Sequence, residues 1–154
     1  MTPAQLARLH HQPEALSRLI EGLTNEQLRQ QPSPGTWSIT EQLAHLGRYQ
    51  QVFSQRLHRI AHEDVPTFER YVAEADEGFA EWLSWPLEHV LARSGQGRAA
   101  LLSQLTTYPA EVRQRTGVHP LFGRMDLTGW TEFFLLHEAH HLLSLMRLAA
   151  RFRR

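Results

Sequence analysis

Ser38-Ile39-Thr40-Glu41 sets the strongest limit on how this chain can fold. A serine followed three residues later by glutamate is a capping box. In it each side chain ties down a backbone N–H that the first helical turn leaves unpaired. Behind it Leu43, Leu46, Gln50, Phe53, Leu57 and Ile60 recur at helical spacing, which predicts a long amphipathic helix to about His62. His45 lies beside that stripe, with Gln42 and Tyr49 on its own side of the helix.

The rest of the chain repeats this logic. Leu6, Leu9, Leu16, Leu19, Ile20 and Leu23 form an earlier stripe, opened by Thr2-Pro3 and interrupted at Pro13, where a kink or a late helix start is expected. Thr24-Asn25-Glu26-Gln27 is a second capping box for one short turn, and Gln31 to Gly35 is a breaker. From Glu63 to Trp85 periodicity fades, as in a crossover connection with some helix. Ser84-Trp85-Pro86 opens a third helix, weakened by Ser94-Gly95-Gln96-Gly97 and ended or bent by Pro109. Thr116 to Gly123 reads as a loop. Asp126 or Thr128 caps a last, strongly apolar helix to about Ala150. No strand pattern competes. The expectation is all-α: a four-helix bundle with a long crossover between the second and third main helices, as a single domain over residues 1–154.

Composition narrows the chemistry. Sixteen basic residues, all Arg, balance 16 acidic ones, so nothing electrostatic favours nucleic acid or an anionic membrane as partner. Without Lys, a Schiff base or lysine general base is excluded; without Cys, so are disulfides, thiolate ligands and a cysteine nucleophile. No signal-peptide pattern or run of about 18 apolar residues is present, so a soluble cytoplasmic protein is expected.

Ten His remain, and their placement matters. His137 and His141, four residues apart in the last helix, project from one face about 5–6 Å apart at Cβ. Such a pair is half of a transition-metal site. The bland alternative is two hydrogen-bonded, partly exposed side chains. His137-Glu138-Ala139-His140-His141 also satisfies the zinc-peptidase pattern H-E-x-x-H. That reading needs a third ligand downstream, and Leu142 to Arg154 contain no Asp, Glu, His or Cys. An upstream ligand is then required, and His45 is the best candidate, because an ionisable ring near an apolar stripe is costly unless paired. His119, just before Pro120, could approach from its loop. His140 points about 100° from His141 and is expected outside the set.

Three blocks carry a family resemblance. Thr36-Trp37-Ser38-Ile39-Thr40-Glu41-Gln42-Leu43-Ala44-His45-Leu46 is similar to a W-S-x-x-E-x-x-x-H-L block, Gly117 to Gly123 to the loop before a last helix, and His137 to Leu142 to an H-x-x-H-H-L block. Together they resemble DinB-like proteins of the YfiT type, a superfamily to which metal-dependent activity is ascribed. The resemblance implies a four-helix bundle with a long crossover, often a homodimer. It implies His45, His137 and His141 as ligands of a divalent transition metal such as zinc, nickel or iron, with water in the open positions. Relatives include transferases and isomerases that use low-molecular-weight thiols such as bacillithiol or mycothiol, and hydrolysis has been suggested for others.

Three functions follow as expectations. The first is an S-transferase acting on a small-molecule substrate, the thiol arriving as cosubstrate because the chain has none. The second is metal-assisted hydrolysis, with Glu138 or Tyr49 handling protons, although Glu138 points about 100° away from the His pair on a helix. The third is a non-catalytic bundle that binds a metal or a partner.

Overall fold

The computed structural model describes residues 1–153. The first helical arm is split into α1 (Pro3–His11) and α2 (Glu14–Ile20), with the break at Gln12-Pro13. A short α3 (Asn25–Arg29) follows, then the long α4 (Ile39–His62). The crossover carries a 3-10 turn (Ala73–Ala75) and α5 (Glu77–Ser84). Beyond it come α6 (Leu87–Thr107), a single turn α7 (Ala110–Arg113), strands β1 (Thr116–His119) and β2 (Gly123–Asp126), and α8 (Leu127–Phe152).

Side-chain pairings fix the helix directions. Gln50 Nε2 donates to the Ser94 carbonyl and Ser54 Oγ to Gln104 Oε1, so α4 and α6 run parallel. Phe134 stacks on Phe53 whereas His141 meets Gln42, so α8 runs antiparallel to α4. Gln5 bonds to Thr128 and Glu132, and Gln12 to Leu135 and Glu138, so the first arm runs with α8. Two parallel neighbours cannot be joined by a tight turn. The return path must span a 24-residue helix of roughly 36 Å, and residues 63–86 provide it.

Both expected capping boxes form, at Thr24 and Ser38, the latter with Ser38 N donating to Glu41 Oε2 at 2.6 Å, and Thr2 with Gln5 makes a third. Asp126, rather than Thr128, caps α8. The Gly95–Gly97 stretch stays helical, because Gly97 leaves room for the Gln50 amide that ties α6 to α4.

One expectation is corrected. Thr116 to Gly123, read as loop, belongs to an antiparallel hairpin in which Thr116 faces Asp126 and His119 faces Gly123. Each strand has four residues, too short for alternation to show, and the turn is closed by Gly123 at φ +72°. The hairpin has a structural use. Phe68 N donates to the Val118 carbonyl and Val118 N to the Pro66 carbonyl, which pins the start of the crossover along β1.

The apolar interior falls into two clusters. One gathers Phe53, Leu57, Ile60, Leu101, Trp130, Phe134 and Leu135; the other gathers Ile39, Leu43, Phe79, Trp82, Val90, Leu145 and Ala149. Along α4 and α8, His45, His137 and His141 fall at the seam between them.

Candidate metal centre

His45 sits two turns into α4, behind the capping box that fixes where the helix begins. His137 and His141 sit one turn apart on α8, at the level where the antiparallel helices bring Tyr49 and Phe134 together. One nitrogen from each of the three rings lies within 4.8 Å of the others. His45 Nε2 is 3.2 Å from His137 Nε2. Two nitrogens each about 2.1 Å from one ion would be roughly 3.0–3.4 Å apart, depending on the angle.

The surroundings favour neutral rings. Trp37, Tyr49, Tyr71 and Phe79 pack around His45, and Tyr49 also lies over His137 with ring centroids 4.2 Å apart. Burial among these walls pushes His45 down to about 4 and His141 to about 3. His137 falls to about 2, through burial first and then its neighbouring imidazoles. At neutral pH no proton competes for the converging lone pairs.

Hydrogen bonding around the cluster is incomplete. The Gln42 amide oxygen accepts from His141 Nδ1 at 3.4 Å, which leaves that ring's Nε2 unprotonated. His45 Nδ1 and His137 Nδ1 are buried without a partner. Each such group costs about 1–3 kcal/mol of stability. Three desolvated imidazoles with two orphaned nitrogens and no carboxylate make a poor core, but the all-nitrogen donor set suits a borderline transition ion. On these grounds the residues fit a divalent transition metal.

The other singled-out residues divide. Tyr49 is 3% exposed, its hydroxyl makes no hydrogen bond among the described residues, and burial raises it to about 12. It therefore keeps its proton beside His137. Glu138 faces away from the triad, toward α1 and α6, where Arg98 Nη2 donates to one oxygen and Gln12 Nε2 to the other at 2.8 Å. Burial still raises Glu138, with Arg98 opposing. His119 stays outside the cluster; its Nδ1 accepts from Leu121 N and Phe122 N and so holds the hairpin turn. His140 is exposed. Sequence reading missed Tyr71 and Phe79 as walls, since the crossover that carries them has no periodicity. Tyr49, one turn beyond His45, and Trp37, directly before the Ser38 cap, are the wall residues with a sequence signal.

A helical bundle with crossed-over topology and an inward three-His cluster defines a known class, and the comparisons name it. The chain belongs to the DinB superfamily, whose family profile matches residues 8–145. YfiT from Bacillus subtilis, described as a probable metal-dependent hydrolase with an unusual four-helix bundle topology, is similar over 99% of this chain and 90% of its own, with TM-score 0.83 and 18% identity. TT2238, a four-helix bundle protein, is similar over 94% and 97%, with TM-score 0.69 and 25% identity. The mycothiol-dependent maleylpyruvate isomerase is similar over 92% of this chain and 59% of its own, with TM-score 0.73 and 13% identity. None of the curated proteins matches the chain in sequence. No helix among the described residues is long and apolar enough to cross a membrane.

Proposed function

We propose that this protein is a metal-dependent enzyme acting on small molecules, in which His45, His137 and His141 hold a divalent transition metal such as zinc, nickel or iron. The observation that carries the proposal is the convergence of three neutral imidazoles from two helices, one buried and two half-buried, with no fourth protein ligand among the described residues. Three ligands leave room for an exogenous one, as catalytic centres require. When bound, the ion would supply Lewis acidity, which holds an incoming thiol as thiolate or makes water acidic near neutral pH.

The preferred reaction is thiol S-transfer with a low-molecular-weight thiol as cosubstrate. The chain has no Cys, so a sulfur nucleophile must come from outside. The apolar, aromatic surroundings of His45 suit a soft thiolate nucleophile. The mycothiol-dependent isomerase with the same fold supports this reading. Tyr49, protonated and with its ring over His137, would donate a hydrogen bond to a reacting group. Hydrolysis is the second reading, supported by the description of YfiT. In it Glu138 would be the base, but both its oxygens are already engaged.

The test is metal analysis of gently purified protein, wild type against His45→Ala, followed by turnover of the loaded protein with several thiols and electrophiles. Near one ion per chain in the wild type and near none in the variant is expected. Metal retained without His45 would return the site to an α8-only pair.

A further inference from the structure

Downstream of His45 on the same face of α4 lie Tyr49, Val52 and Arg56, at steps of four, three and four residues. Arg56 is the anomaly in that row. It is 8% exposed, yet no carboxylate lies within salt-bridge distance of it among the described residues. Its sole hydrogen bond runs from Nη2 to the Glu69 carbonyl at 2.8 Å. A buried cation without a counter-charge is costly, and burial already weakens its hold on the proton. Arg98, the other deeply buried arginine, has Glu138 against it, and its remaining nitrogens are sealed from solvent. Those of Arg56 are not sealed.

Arg56 lines a cleft of about 610 Å³ between α4 and the extended chain from Thr67 to Val72. Four arginines line it, Arg48, Arg56, Arg59 and Arg70, against two acids, Glu69 and Asp76. Arg48 is committed to Asp76 and Arg59 to Glu63, which leaves Arg56 and the exposed Arg70 against the exposed Glu69, a balance of one positive charge among the described residues. The guanidinium of Arg56 lies within cation–π range of two aromatic rings, its Cζ 5.5 Å from the Phe68 centroid and 5.9 Å from that of Trp130. The rings confine the planar donor fork, and its Nε and Nη1 have no acceptor among the described residues. The cleft wall includes Tyr71, whose ring packs on both His45 and Tyr49, so the cleft adjoins the imidazole cluster.

We propose that this cleft binds a carboxylate of a small-molecule ligand, with Arg56 as the residue that recognises it. The inference rests on the metal-enzyme reading only for its purpose, since a ligand anchored there extends along α4 toward His45. A planar, two-oxygen acceptor fits the fork of a buried guanidinium confined beside two aromatic rings; Arg70 at the rim offsets Glu69.

The test uses the full-length, metal-free protein and glutarate as probe, with glutaramide as its neutral counterpart and inorganic phosphate as a tetrahedral anion. Arginine Nε–H signals are followed by ¹H–¹⁵N spectroscopy, that of Arg56 being assigned through its contacts with the Phe68 and Trp130 ring protons. Glutarate is expected to shift the Arg56 signal saturably, leave those of Arg93 and Arg147 in place, and bind at least about tenfold more tightly than phosphate; glutaramide should do nothing. Arg56→Lys should weaken glutarate about tenfold or more. Should that variant not fold, the wild-type spectra decide alone. No saturable shift, or phosphate binding as tightly as glutarate, overturns the proposal. His45→Ala protein should still bind glutarate, so failure of the metal reading and failure of this one leave different marks.

Discussion

Glu138 shows how one sequence position can be decided by its partners. It follows His137 directly, yet the helical rotation of about 100° carries it to Arg98 and Gln12. In that setting it is an internal counter-ion. Glu138→Gln should cost about 3–5 kcal/mol, because the Arg98 guanidinium is left buried without its charge partner. Chemical denaturation checks the loss, and metal content measured alongside should be unchanged. Had Glu138 served as a hydrolytic base, the same variant would lose turnover with little change in stability. At this scale the sequence was legible where helical geometry alone decides direction. His137 and His141 follow from i, i+4 spacing, and so does the divergence of Glu138. What could not be read was what Glu138 diverges toward, since Arg98 and Gln12 are brought to it by packing across 40 and 126 positions.

Among the elements, α4 carries most of the organisation, and Gly47 is its point of closest approach. A Cβ added there would collide with the Trp82 ring of α5 and, at 2.6 Å, with Ser94 Oγ of α6. Ala is worth about 1 kcal/mol over Gly in a helix interior, but Trp82 is 2% exposed and has nowhere to move. Overpacking of about 1–3 kcal/mol therefore wins, and Gly47→Ala is expected to lower the unfolding midpoint rather than raise it. A thermal melt of the variant settles the sign. The four main helices, the Thr24 and Ser38 boxes and the Pro13 break were legible, because capping boxes and apolar stripes are local signals; α6, which starts after Pro86 without a side-chain cap, had no capping box to mark it. The hairpin was not. Its strands are four residues long, and what holds it is a non-local pairing of Val118 with Pro66 and Phe68. Residues 63–85 were legible as a crossover with some helix, but not that they turn Tyr71 and Phe79 toward the cluster, for the same reason.

Across the whole molecule, the three imidazoles couple stability to pH. Their folded-state values, about 4, 2 and 3, lie below the ordinary 6.5, so the unfolded chain binds more protons than the native one between those limits. Stability of the metal-free protein is therefore complete above roughly pH 6.5. It should fall as pH drops toward 4, by at most about 4 kcal/mol per pH unit for three groups together. Unfolding midpoints measured from pH 7.5 to 5 with chelator present should show that decline, and replacing His137 with Gln should make it shallower. His45 and His137 are 92 positions apart in the chain and meet where two apolar clusters adjoin. A single ion on those nitrogens would act as a long-loop clasp: it can be captured only after the distant segments have docked, so its occupancy would report completed assembly, and its release would loosen the molecule at the waist before either end gave way.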